Sequence, residues 1–172
     1  QCAQRSSLRG EDGAGDMALR LMNCRIVVLT KVARPGQVKT RLAADIGDAL
    51  AAQLHLAMVD HTLQRAAETG MPISVSLAGE DDGETAEFLA QRGVTVEPQA
   101  AGHLGERIRH AMRGPDRTIA LGTDCVIFDP AWLVQAANNT LPVAVGPSTD
   151  GGYWAIAIDG NRDDIEQEIL GE

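Results

Sequence analysis

Aromatic side chains are scarce in this chain: Phe, Trp and Tyr make up 3% of its 172 residues. Ala, Val, Leu and Ile must therefore fill any core. The shortage also argues against single-stranded nucleic-acid binding, which leans on aromatic stacking platforms. Cysteine is equally thin. Cys2, Cys24 and Cys125 are odd in number and no two have metal-ligand or redox spacing. That speaks against a disulfide framework and fits a reducing, cytoplasmic compartment. No apolar run approaches the roughly 20 residues that span a bilayer, so no membrane partner is expected. The opening residues, Gln1 to Asp16, are polar and Gly-rich and lack the apolar core of a secretion signal. The chain starts with Gln, and residues 1–21 are expected to form a disordered leader, with Met17 or Met22 as candidate starts. Positive charge is also in deficit. The net charge of −9 would repel a nucleic-acid backbone. An anionic ligand must then be met by a local basic cluster or by a metal.

What the chain does have is ordinary globular content, 44% hydrophobic and 23% charged, with enough length for one domain and its core. Residues 22–172 read as that single domain. Cys24 to Thr30 is a short, β-branched, nearly continuous apolar run, as expected of a strand buried on both faces. Further strands are expected at Ile73–Leu77, Val94–Val96, Thr118–Gly122, Val143–Val145 and Trp154–Ile158. Between them, helices are expected over Gly47–Glu68, Glu84–Arg92, Leu104–Met112, Pro130–Asn138 and Arg162–Leu170. Ala52, Leu56, Val59, Leu63 and Ala66 give the longest helix one apolar stripe. Strands alternating with helices predict an α/β fold, a mostly parallel sheet with helices on both faces.

Ligands of such sheets sit beyond the carboxyl ends of the strands, so the segment after each strand matters most. After the first come Lys31, Arg34, Lys39 and Arg41, interleaved with Pro35 and Gly36. Pro-Gly enforces a turn, and turn amides beside Arg and Lys suit phosphate oxygens. A solvated basic loop is the plainer alternative; position after the first strand favours phosphate. No glycine directly precedes Lys39 and no G-x-G-x-x-G follows the strand, which disfavours the P-loop and dinucleotide folds.

After the fourth strand, Asp124 in Gly122-Thr123-Asp124 is placed either to hold a divalent ion or to cap the turn that follows. Asp150, in Gly146-Pro147-Ser148-Thr149-Asp150-Gly151-Gly152-Tyr153, is first a hairpin residue and second a candidate metal or acceptor-site carboxylate. In Gly102-His103-Leu104-Gly105-Glu106-Arg107, a helix start and Arg107 could attract an anion, or the segment is a plain loop. His103 is a candidate base or ligand, although a lone loop histidine is usually neither. His55 and His110 read as structural, Asp60 and His61 as lying on a solvated helix face, and Cys125 as a small buried thiol.

Taken together, Lys31-x-x-Arg34-Pro35-Gly36-x-Val38-Lys39-Thr40-Arg41-Leu42, Gly102-x-Leu104-Gly105-Glu106-Arg107, Gly122-Thr123-Asp124 and Gly146-Pro147-x-x-Asp150-Gly151-Gly152-Tyr153 resemble the bacterial DUF2064 proteins, over roughly residues 24–158. These are glycosyltransferase-like proteins associated with radical-SAM and selenodomain proteins. The chain is also similar to the phospholactate guanylyltransferases, which share the Lys-x-Arg-Leu element. The resemblance implies a three-layer α/β/α sandwich of the GT-A nucleotide-diphospho-sugar transferase type. It implies a nucleotide above the first strands, with Lys31, Arg34, Gly36, Lys39, Arg41, Gly105 and Arg107 toward its phosphates. Asp124 and Asp150 would be the catalytic and metal-binding carboxylates, with Mg²⁺ or Mn²⁺ neutralising a diphosphate. The donor would be a nucleoside triphosphate or nucleotide sugar and the acceptor a small molecule. Two departures stand out: His103 replaces the family's Asp, and Cys125-Val126 its Ser-Pro. The family also continues past the last block, so part of the acceptor side is expected to lie beyond Glu172. The expected function is a metal-dependent glycosyl- or nucleotidyltransferase. The alternative is an impaired nucleotide-binding or regulatory domain of the same fold.

Overall fold

The computed structural model describes residue 21 and residues 23–80, 83–114, 116–149 and 151–160. Its centre is β1 (Cys24–Lys31). Ile26, Val27 and Val28 are all buried, so both faces of this strand are covered, as its continuous apolar run predicts. β1 pairs in parallel with β2 (Ile73–Ala78) on one edge and with β4 (Arg117–Gly122) on the other. β3 (Thr95–Pro98) extends the sheet in parallel beyond β2. β6 (Tyr153–Ile158) runs antiparallel to β4, and β5 (Val143–Pro147) antiparallel to β6. The six strands lie in the order β3-β2-β1-β4-β6-β5.

The helices are α1 (Thr40–Ile46), α2 (Asp48–Ala67), α3 (Glu84–Ala90), α4 (Leu104–Ala111) and α5 (Pro130–Asn138). Val59 and Leu63 of α2, Leu89 of α3 and Leu133 of α5 pack against Ile26, Val28, Val75, Ile119 and Leu121 on one face of the sheet. Ile108 of α4, with Met112 just beyond it, covers Ala120, Ile156 and Ile158 on the other. The result is the expected α/β/α sandwich with a mostly parallel sheet. Among the described residues no helix is long and apolar enough to cross a membrane.

Every expected strand is present within a residue or two of its predicted bounds. α1 is an addition: the expected loop turns helical at Thr40. None of its residues is buried, so it shows no apolar stripe to read. Gly47, at φ 84, separates it from α2. In α2 the stripe includes a polar member that was expected to be merely structural, the buried His55. Asp60 is not on a solvated face. It pairs with Arg92, whose guanidinium lies over the Phe88 ring. His61 is exposed, as expected, and donates to the Val126 carbonyl at 2.9 Å. The expected leader, apart from Leu21, and the expected last helix lie outside the described residues.

Two devices hold the antiparallel end of the sheet. Arg117 is buried and donates to the carbonyls of Ala136 (2.8 Å) and Leu141 (3.0 Å), and it also pairs with Asp159. It thereby ties the end of α5, the approach to β5 and the end of β6 to β4. The second is a bulge. Gly146 pairs with Ala155 and Pro147 with Tyr153, so Trp154 is passed over. The extra residue rotates its side chain out of the strand's alternation. The indole lands on the α5 side, stacked 5.3 Å from Phe128 and tilted against Trp132 at 5.9 Å. A Cβ at Gly146 would come within 2.7 Å of that indole. This glycine makes room for a side chain of its own fold. Gly146→Ala should therefore lower the unfolding free energy by about 1–3 kcal/mol through overpacking. Urea titration followed by tryptophan fluorescence checks this; an unchanged midpoint would mean that the indole moves aside freely.

Candidate functional site

β2 and β4 flank β1 on opposite edges, so the sheet's connections diverge at the carboxyl ends of β1 and β4. Such a switch point is where open α/β sheets form their ligand crevice. A cavity of about 590 Å³ opens there, within the range of small-molecule sites. Thr30 and Lys31 line it from the end of β1, and Gly122, Thr123 and Asp124 from the end of β4. Lys39 to Leu42 form one wall; Gln99, Leu104 and Arg107 form the far end.

The basic loop is built by its apolar and turn residues. Val32 and Val38 are both buried and pin its two ends. The Val32 amide continues the sheet by donating to Ala78 O at 2.8 Å. Between them the Gln37 amide donates to Arg34 O at 3.0 Å, and Gly36 has φ 78. Proline second and a positive-φ glycine third is the pattern of a type II turn. The loop ends at Lys39, with φ 48, the one non-glycine residue at positive φ among the described residues. For an L-residue this conformation costs roughly 1–2 kcal/mol. It accompanies an ion pair across the cleft, Lys39 Nζ to Asp124 Oδ1 at 2.8 Å. The lysine side chain is 18% exposed and the aspartate 86%. The lysine side chain is thus largely covered, while the carboxylate keeps most of its surface open to further ligands.

Lys31, Lys39, Arg41, Arg107 and Asp124 line the cavity together, out of the residues expected to form a site. Arg34, Gly36 and Gly105 do not line it. Arg34 and Gly36 make the turn, and Gly105 lies in the first turn of α4. Asp150 lies outside the described residues, although the flanking strands pair as the hairpin that its Asp-Gly predicts. Among the described residues no group of three or more His, Cys, Asp or Glu side chains is arranged to hold a metal. Among the described residues Asp124 is the carboxylate that lines the cleft. A lone exposed carboxylate suits Mg²⁺ in its usual mode, in which substrate phosphates and water complete the shell.

Two further polar cavity residues, Gln99 and His55, were not among the expected site residues. Gln99 follows β3, its Nε2 donating to Ser76 O at 3.3 Å, while its Oε1 accepts from Arg107 Nη1 at 3.4 Å. Arg107 is steadied as well by Nε donation to Gly102 O at 2.7 Å. Nothing in the local sequence marks Gln99. His55 reaches the cavity from α2, and its signal was available as a histidine on an otherwise apolar stripe. Cys24 is a core thiol that burial pushes up to about 11. The half-buried Cys125 thiol faces the Ile127 carbonyl at 3.5 Å.

Residues 58–169 match the family model of DUF2064, described as an uncharacterized protein conserved in bacteria. The chain belongs to this family. It is also similar to the 1.90 Å crystal structure of a "putative nucleotide-diphospho-sugar transferase" from Desulfovibrio desulfuricans G20, with a TM-score of 0.73 and 29% identity. The similarity covers 80% of this chain, which spans 64% of that one. No curated protein matches. The fold is accordingly GT-A-like, as the four sequence blocks implied.

The resemblance implied Asp at position 103, and the His found there has a local structural role. Position 103 is the N-cap of α4. Its Nδ1 accepts from the Glu106 amide at 3.4 Å, and the Glu106 carboxylate accepts from the His103 amide at 3.0 Å. This reciprocal capping box needs an acceptor at position 103, which Asp and a neutral His both supply. It also needs Gly102, at φ 112, where any Cβ would run into the Glu106 carboxylate. Cys125-Val126 lies in a loop that His61 anchors.

Two outcomes follow from this geometry. His103→Asp should raise the unfolding free energy by about 0.5 kcal/mol, because Asp is the better cap; a thermal melt reads the gain. Lys39→Gly removes the positive-φ strain at the expense of a pair that is weak because one partner is exposed. Its unfolding free energy should stay equal or rise by up to about 1 kcal/mol. A fall larger than that in denaturant titration would show that the ion pair outweighs the strain.

Proposed function

We propose that this protein is a metal-dependent transferase acting on a nucleotide-activated donor, a nucleotide sugar or a nucleoside triphosphate. It passes a glycosyl or nucleotidyl group to a small-molecule acceptor. The observation that carries this reading is the Lys39–Asp124 contact across the switch-point cleft. It brings together a cation for phosphate oxygens and a carboxylate for a divalent ion, inside a protein whose net charge is −9. The likeness to the Desulfovibrio structure supports the same reading.

The chain's own residues divide the work. Lys39, Arg41, Lys31 and Arg107 present positive charge to the donor's phosphates, as Arg and Lys do in charge-assisted hydrogen bonds. Asp124 would hold Mg²⁺ or Mn²⁺, which when bound supplies charge neutralisation for the diphosphate leaving group. Lys39 can transfer its hydrogen bond from Asp124 to a phosphate, because the carboxylate gains a cation as the ammonium gains an anion. Asp150 is assigned here as the acceptor-side or second metal carboxylate from its place in the last sequence block. The free thiols of Cys24 and Cys125 support a cytoplasmic setting. His103 caps α4 as an Asp would, so the start of that helix keeps its capping box.

Isothermal titration with nucleoside di- and triphosphates and nucleotide sugars, with and without Mn²⁺, tests the proposal. Binding to at least one should be stronger with Mn²⁺, and Asp124→Asn should abolish that enhancement. Lys39→Ala should weaken binding about 10- to 100-fold, the loss of one charged hydrogen bond. Absence of binding to every nucleotide would overturn the proposal.

A further inference from the structure

His55 is 5% exposed, yet it belongs to the wall of the cleft. Its Nε2 lies 3.1 Å from the Lys31 carbonyl oxygen and 3.1 Å from Thr30 Oγ1. A carbonyl only accepts, so Nε2 carries the ring proton and the neutral imidazole is the form that fits. Nδ1 is then a bare acceptor, buried and without a partner. A buried polar atom left unpaired is costly, and position 55 sits on the apolar stripe of α2, where a Leu would pack without that cost. The hydrogen bond to Lys31 is what the imidazole supplies in return. Lys31 is the last residue of β1 and the origin of the basic loop.

We infer that His55 is the positioning residue of the phosphate-facing loop: its Nε2–H clamps the Lys31 carbonyl and the Thr30 hydroxyl and fixes the direction in which residues 32–39 leave the sheet. This inference rests on the proposed phosphate site for its functional meaning, but the clamp itself can be tested without ligand. A protonated ring would bring a second buried N–H with no acceptor. It would also add a charge beside Lys39 and Lys31, opposed by the hydrogen bond to the Lys31 carbonyl and, more weakly, by the Asp124 carboxylate. Burial is the largest influence and, with the lysine charges, holds the His55 pKa below its ordinary 6.5. The neutral clamp is therefore intact above pH 6.5. As pH falls below that value the unfolded chain takes up the proton first, so the stability contribution declines and is gone once the folded pKa is passed.

Three variants separate the possibilities. His55→Phe keeps a ring and deletes the donor. His55→Gln places an amide N–H near the position of Nε2 and does not titrate. Hydrogen exchange of the ligand-free protein at pH 7 should show residues 32–37 exchanging faster in the Phe variant and near wild-type rates in the Gln variant. His55→Leu, the apolar choice for the stripe, should behave as Phe does. Inorganic pyrophosphate with Mg²⁺ should bind about tenfold more weakly to the Phe variant, the loss of one positioning hydrogen bond, and Gln should restore most of it. From pH 7 to pH 5 the wild-type loop should lose protection, relative to the same loop in the Gln variant. Unchanged loop exchange in Phe, or a Gln variant no better than Phe, overturns the inference. If the exchange pattern holds while neither pyrophosphate nor any nucleotide binds the wild type, the clamp stands and the transferase reading falls.

Discussion

β1 is hydrogen-bonded along both edges and covered on both faces, and the placement of the cleft follows from that. A strand so enclosed offers its polar groups only at its ends. At its carboxyl end the side chain and carbonyl of Lys31 emerge, next to the buried Thr30. The chain then crosses to β2 on one side through α2 and returns to β4 on the other through α4. Crossovers between parallel strands are right-handed almost without exception. Reversing the direction of travel therefore moves α4 to the opposite face from α2 and α3, as its packing on Ala120 and Ile156 shows. The reversal leaves a gap above the strand ends at which the basic loop, the Gln99–Arg107 end and Asp124 converge. The residues lining the site come from distant parts of the sequence, and the sheet order brings them together.

How much of this the sequence reveals depends on the period of its signals. β1 was legible because a strand covered on both faces is continuously apolar. α2 was legible because its stripe has the helical period. α1 was not, because a helix with no buried residue shows no apolar period at all. The loop was recognisable as basic and turn-forming, but not which of its cations enter the cleft. Lys31, Lys39 and Arg41 line it; Arg34 belongs to the turn whose geometry Pro35 and Gly36 set. Gln99 carries no local mark because its role comes from its neighbours Ser76 and Arg107. His103 read as a departure from the family's Asp and as a candidate base or ligand, whereas its geometry is that of a helix cap, an acceptor function that two chemically different residues perform.

The protein's acidity and its cationic cleft are compatible because the cations are local and partly enclosed. At physiological ionic strength, exposed charges separated by more than about 8 Å are largely screened from one another. The distributed carboxylates therefore oppose the cleft less than the net charge suggests. Within the cleft, the Lys39–Asp124 pair balances an otherwise positive group of side chains while keeping both partners at hand. Because Asp124 is largely exposed, separating the pair costs little. A ligand that brings phosphate and metal together offers each partner a replacement, so the charges of the site remain matched before and after binding.

The backbone of Lys39 shows what that arrangement demands. Glycine would occupy φ 48 without strain, and the loop already uses glycine at Gly36. A glycine at position 39, however, would remove the ammonium from the one place where the loop crosses toward β4. The buried Val38 immediately before it fixes the chain, and α1 starts immediately after, so the residue has little freedom to relax its torsion. The strain is thus confined to a single residue, held by apolar burial on one side and helical hydrogen bonds on the other. Its stability cost is small against the folding free energy of a domain, roughly 5–15 kcal/mol. Strain retained where the surrounding structure enforces it, on a side chain that faces a cleft, is the pattern expected of a functional rather than a merely structural lysine.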